Sequence, residues 1–134
     1  MQVLEYLAEC QECNVCQETK DTLCSICMTQ KIMRGKWKIA IIWLLKDNTL
    51  RFSQIKKSIP NVTQTYLSKQ LKSLEQDKLI VRKSYNQVPP KVEYYLTDTG
   101  KKFIEVLNYM NVWGTGYLQE HIMPVYEQLL NSDE

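Results

Sequence analysis

Past Cys27 the chain has no cysteine, and His121 is the single histidine among its 134 residues. A lone histidine does not by itself argue for a nucleophile triad; His121 reads as an ordinary surface or interface residue, and no enzyme is expected. No low-complexity run or internal repeat occurs. The longest apolar run, Ile39 to Leu45, is far shorter than the roughly 20 residues needed to cross a bilayer. Met1 to Cys10 lacks a basic start followed by an apolar block, so a cytoplasmic location with no membrane partner is expected. Carboxylates are missing from one stretch in particular: none stands between Val62 and Ser73.

What is present is ordinary in amount and uneven in distribution. Hydrophobic residues make up 44% and charged residues 24%, as in a single globular domain. The net charge of +2 hides a basic centre: Lys31 to Lys102 holds 16 Lys/Arg against 5 Asp/Glu. Such a block attracts a polyanion through counterion release. The stretch Val62 to Leu79 lies within it. Leu67, Leu71 and Leu74 recur at helical spacing, with Leu79 just beyond, and the opposite side carries amides, hydroxyls and ammonium groups. A helix that enters a DNA groove needs side chains that reach base edges and phosphates without repelling them.

The flanking segments set this helix in a pattern. Lys31 to Trp37 leads into the central core helix, on which Ile39, Ile42, Trp43 and Lys46 follow the i, i+3, i+4, i+7 rhythm and Ala40, Ile41, Leu44 and Leu45 make it apolar nearly all round. Leu50 to Phe52 can make only a short strand; Ser53 is placed to cap a brief helix that Pro60 stops, and Asn61 or Thr63 to cap the next. Two strands follow, Leu79 to Tyr85 and Val92 to Thr97, with Pro89 and Pro90 stiffening the loop between them. Helix-turn-helix followed by a basic hairpin describes a winged helix, in which one helix enters the major groove and the wing lies along the backbone. Thr97 or Asp98 caps a final helical region that Gly114 and Gly116 allow to bend and that Pro124 kinks or reopens. Its surplus apolar residues, Leu107, Met110 and Trp113 among them, suit burial against a second copy.

The cysteines are clustered as C-x2-C-x2-C, seven residues, C-x2-C: Cys10, Cys13, Cys16, Cys24 and Cys27. Thiolate pairs at this spacing suit zinc or an iron–sulfur cluster, and thiolates near cations suit a sensor of oxidants or electrophiles. Inert thiols are the third reading, and the spacing leaves all three open.

The residues Gly35-Lys36-Trp37, Arg51-Phe52-Ser53, Ile59-Pro60, Leu67 to Glu75 and Val88-Pro89-Pro90-Lys91-Val92-Glu93-Tyr94, with Leu96-Thr97, Gly100 and Trp113-Gly114, occur in this order. In them the chain resembles the HxlR-type, MarR-like branch of winged helix-turn-helix bacterial transcriptional regulators, from Cys24 to about Ile122. The resemblance implies an α+β, mainly α fold with a small antiparallel sheet and terminal dimerisation helices. It further implies a homodimer on double-stranded operator DNA and, in several members, a sensing cysteine at the place of Cys24. The expected organisation is an N-terminal extension over 1–23, the winged domain over 24–122 and a C-terminal helix or tail over 123–134. Expected phosphate contacts are Lys69, Lys72, Arg82, Lys83 and Lys91. Thr63, Gln64, Thr65, Tyr66, Ser68 and Gln70 are expected at base edges or sugars, and Cys24 and Cys27 as redox-sensing thiols. No cofactor is assigned; a metal or cluster held by the five cysteines is the alternative sensor.

Overall fold

A computed structural model describes Ser25 to Ser132. In chain order the elements are α1 (Ser25–Ile32), α2 (Lys38–Leu44), β1 (Leu50–Arg51), α3 (Phe52–Ser58), α4 (Gln64–Gln76), β2 (Ile80–Tyr85), β3 (Lys91–Leu96), α5 (Asp98–Tyr117), a π-helical turn (Leu118–Ile122) and α6 (Met123–Ser132). Two compact units result, one ending at Lys101 and the other beginning at Lys102. The expected α+β, mainly helical architecture with a small antiparallel sheet is present.

In the first unit the core is aliphatic. Ile41 and Ile42 of α2, Ile55 of α3, Leu67, Leu71 and Leu74 of α4, and Ile80 of β2 are its most fully buried side chains. Of this helix, expected to be apolar nearly all round, the buried stripe lies one residue off the Ile39, Ile42, Trp43, Lys46 set: it consists of Lys38, Ile41, Ile42 and, just past the helix, Leu45. Trp43, expected inside, is 38% exposed, and the Lys46 ammonium lies 4.5 Å from its ring centroid. The shift by one residue admits a lysine into the apolar stripe, and Lys38 keeps its charge satisfied with two hydrogen bonds described below. Gly35, at φ 131, lies in the turn that separates α1 from α2.

Each later element starts and stops for a local reason. Helix α3 begins at Phe52, with the Arg51 backbone N–H donating to Gln54 Oε1 at 2.8 Å, so Ser53 lies within the first turn and does not cap it. Asn61 takes a left-handed φ of 59° in the turn that follows, a conformation asparagine tolerates better than most residues. Helix α4 ends in a Schellman motif: Lys78 N–H donates to the Glu75 carbonyl and Leu79 N–H to the Leu74 carbonyl, both at 3.0 Å. Lys78 occupies the left-handed position, φ 62, that glycine usually fills.

The sheet has the order β1-β3-β2, all antiparallel, with Arg82 opposite Tyr94 and Lys83 opposite Glu93. Strand β1 adds Leu50 opposite Tyr94 and Arg51 opposite Glu93. Along β3, Tyr94 and Leu96 are buried and Val92 half-buried on one side, which fixes the register, since a slip by one residue would turn this set outward. Thr97 closes the hairpin onto the next helix. Its hydroxyl donates to the Lys78 carbonyl at 2.7 Å and accepts from Gly100 N–H at 3.0 Å. A Cβ at Gly100 would collide with the Leu79 carbonyl oxygen, which leaves only glycine at this crossing.

In the second unit α5 continues without a break through Gly114 and Gly116, the two positions that permit a bend. The irregularity comes later, as the π-helical turn, and Pro124 falls in the first turn of α6, where the missing N–H is tolerated. Trp113, Tyr117 and His121 form an aromatic ladder, with centroids 5.2 Å and 4.8 Å apart. Large apolar side chains stay exposed, among them Tyr109 at 79%, Trp113 at 70% and Leu129 at 62%. Among the described residues no helix is long and apolar enough to cross a membrane.

Candidate nucleic-acid interface

Helix α3, the turn after it and α4 form the helix-turn-helix. Thr63 caps α4 from an extended conformation, its Oγ1 accepting from Tyr66 N–H at 3.2 Å. Val62 before the cap and Leu67 at the fourth helical position are both buried, the placement of a hydrophobic staple. At about 100° per residue the rest of α4 sorts into three faces. Leu67, Leu71 and Leu74 enter the core. Gln64, Thr65, Ser68, Lys69 and Lys72 are exposed and together line one open groove along the outer side. Tyr66, Gln70, Ser73 and Asp77 make a third face, turned toward the segment between α1 and α2.

The residues of this third face are held differently from their expected roles. Lys36 N–H donates to the Tyr66 hydroxyl at 3.3 Å. Gln70 does not stand beside Gln64 on the outside: its Oε1 is buried, without a hydrogen-bond partner, and a Cβ on Gly35 would collide with it. That places the amide oxygen of the half-buried Gln70 against the turn at Gly35. Thr63 is exposed, with its hydroxyl oxygen engaged by the cap.

Three cations escaped the reading of the sequence. The Tyr66 bond brings the Lys36 backbone to the start of α4, and the Lys36 side chain is exposed there. Lys56 and Lys57 are exposed in the last turn of α3. The signal was available for Lys56 and Lys57, since a helix-turn-helix puts its first helix across the backbone.

On the hairpin, Arg82 and Lys83 sit on β2, both exposed. Lys91 is not free in the same way. Its ammonium lies 2.9 Å from Glu93 Oε1 and 4.7 Å from the Tyr85 ring centroid, and the Tyr85 hydroxyl donates to Glu93 Oε2 at 3.0 Å. Lys83 approaches the same ring at 5.0 Å. The wing is thus braced by a Lys91–Glu93–Tyr85 cluster at the strand pairs next to its loop, in which Val88 is fully exposed.

The hydrogen bond from Lys91, then that from Tyr85, holds the Glu93 carboxyl below the ordinary glutamate value of 4.5. A carboxylate whose folded pKa is depressed stabilises the fold above its unfolded pKa, and this contribution is lost as pH falls through the folded value. Glu93→Gln is therefore expected to lower the melting temperature at neutral pH, with the gap to wild type closing below about pH 4. Melting curves followed by circular dichroism across that range check it; a gap that does not change with pH would show that ionisation of Glu93 contributes nothing to stability.

Of the sulfur residues, Cys27 is half-buried on α1. Cys10, Cys13, Cys16 and Cys24 lie outside the described residues, as does the expected extension over 1–23. Among the described residues no three His, Cys, Asp or Glu side chains are grouped to hold a metal ion.

Comparison with known proteins agrees with this architecture. Residues 32–122 match the model of the HxlR-like helix-turn-helix family. An HTH-type transcriptional regulator of Methanothermobacter thermautotrophicus is 44% identical over 95 residues, which cover 71% of this chain and 72% of that protein. The HTH-type transcriptional regulator YkvN of Bacillus subtilis is 40% identical over 105 residues, 78% of this chain and 89% of its own. Among solved structures, the redox regulator HypR in its reduced form superposes with a TM-score of 0.67 at 35% identity, covering 70% of this chain and 93% of that one. Its oxidized form gives 0.65 at 36%, covering 69% and 96%. A capped helix-turn-helix, the hairpin behind it and a match over most of the chain converge on one assignment: the protein belongs to the HxlR-like helix-turn-helix family of transcriptional regulators and is not an enzyme.

Proposed function

We propose that the protein binds operator DNA as a homodimer, with α4 of each copy in a major groove, and that thiol chemistry at its N-terminal cysteines changes the affinity. The carrying observation is the outer face of α4, where Gln64, Thr65, Ser68, Lys69 and Lys72 line a groove free of carboxylates. Amides and hydroxyls there suit base edges, and the two ammonium groups suit phosphates. Arg82 and Lys83 add backbone contacts from the wing, while Lys91 stiffens it. The exposed apolar side chains of α5 and α6 support association of two copies, and a symmetric pair presents its recognition helices to a pseudo-palindromic site.

Oxidation or alkylation of Cys24, with Cys27 three residues on, is the proposed signal. Lys31, Arg34 and Lys36 are close in sequence and favour a thiolate there. Similarity to HypR, a redox regulator known in oxidized and reduced forms, supports this reading. Fluorescence anisotropy with DNA from the region upstream of its own gene, before and after diamide, tests it. Cys24→Ser is expected to bind as the reduced protein does and to ignore the oxidant. An unchanged response in that variant would remove Cys24 from the mechanism.

A further inference from the structure

The third face of α4 carries an inference that rests on the assignment of α4 to DNA. Lys38 is 6% exposed, and its ammonium donates to two acceptors on different elements. One is the carbonyl of Ile32, the last residue of α1, at 3.0 Å; the other is Ser73 Oγ of α4, at 2.7 Å. Burial pushes the Lys38 pKa down, and the Asp77 carboxylate opposes the shift, so the ammonium depends on these partners for its solvation. Next to this link, Gly35 leaves no room for a Cβ beside Gln70, and Lys36 N–H reaches the Tyr66 hydroxyl. Along this seam, α4 meets the end of α1 through polar groups, whose energies depend steeply on geometry.

We propose that Lys38 is a positioning residue that couples the last turn of α1 to the setting of the recognition helix. The last carbonyls of a helix lack intrahelical partners, and Lys38 satisfies that of Ile32. Fraying of α1 withdraws this acceptor. A buried ammonium left with one partner is costly, so the ammonium follows the displaced carbonyl or seeks water, and Ser73 loses its donor. Since Ser73 and the outer residues Lys69 and Lys72 share two turns of α4, release at the seam reorients the side chains proposed to meet DNA. Any event that disturbs α1, including chemistry at the cysteines beside it, would use this route.

The test is a mutant cycle between distant positions in the full chain. Thr29→Gly loosens α1, removing the Thr29 hydroxyl bond to the Ser25 carbonyl. Ser73→Ala removes the acceptor on α4, Ser73→Thr keeps a hydroxyl there, and Lys38→Met removes the ammonium at similar length. Thr29→Gly alone and Ser73→Ala alone are each expected to weaken binding to upstream DNA by roughly 3- to 30-fold. Thr29→Gly added to Ser73→Ala or Lys38→Met is expected to cost nothing more, and Ser73→Thr to bind like wild type. Amide exchange along Gln70 to Asp77, measured without DNA, provides a second readout: Thr29→Gly speeds it in the wild-type background and leaves it unchanged with Ser73→Ala. Additive losses, or exchange that rises equally in both backgrounds, would overturn the coupling. If wild type binds no DNA while exchange shows the coupling, the reading of α4 fails and the seam stands. Should Lys38→Met not fold, the Ser73 pair carries the cycle.

Discussion

Leu71→Ala is expected to remove about 2–5 kcal/mol from the stability of the first unit, one of the largest single losses available in this chain. Leu71 is 1% exposed at the middle of α4, with Leu67 and Leu74 at 0% on either side. Truncation leaves a cavity among side chains contributed by α2, α3, α4 and β2, and a short core with few large residues has little with which to refill it. Total stabilities run to about 5–15 kcal/mol, so the variant gives up a large part of the margin. The melting midpoint should fall by on the order of 10–20 °C, read by circular dichroism, with the urea midpoint moving in parallel. A loss under about 1 kcal/mol would place Leu71 outside the core and the assignment of α4's inner face in error. At temperatures where it remains folded, the same variant should still discriminate its operator, because no outward side chain has changed.

How far the sequence led to this structure depends on which forces act locally. The inner and outer faces of α4 follow from periodicity alone, and Thr63 and the alternation of Val92, Tyr94 and Leu96 are equally local signals. Three features were hidden because their causes are distant or break a preference. The α2 stripe runs through Lys38, which periodicity rejects as a core residue; only acceptors from α1 and α4 make it tolerable there. Helix α4 stops at a left-handed Lys78, where glycine would have announced the stop. Gln70 lies angularly between the faces of α4, and its fate was decided by the turn at Gly35, 35 residues earlier in the chain. Lys91 is the instructive case. It and Glu93 are two apart on one strand and therefore share a side, so the ion pair that withdraws Lys91 from the cationic set was open to inference. Counting positive charges along the wing obscured it.

The second large effect follows from reversing charge on the outer face of α4. Lys69→Glu with Lys72→Glu is expected to reduce affinity for upstream DNA on the order of a thousandfold near 0.1 M salt, while stability changes by about 0.5 kcal/mol or less per substitution. Both side chains are exposed and border the same groove, and neither belongs to an ion pair among the described residues. Replacement therefore leaves the supports of the fold in place. In a dimer each substitution occurs twice, so four ammonium groups are removed and four carboxylates are pushed toward a polyanion. The milder Lys69→Ala should lower the salt slope of log affinity by about 0.9 for each phosphate no longer neutralised and weaken every sequence alike. Gln64→Ala should instead cost about 1–3 kcal/mol at one base position and leave the slope unaltered. The slope separates the two roles, because counterion release counts phosphates and ignores bases. Titrations of wild type and variants over a series of salt concentrations decide the matter. If the double glutamate variant keeps its melting temperature and still binds within about threefold of wild type, α4 does not meet DNA through this face, and the wing with Lys56 and Lys57 must carry the binding.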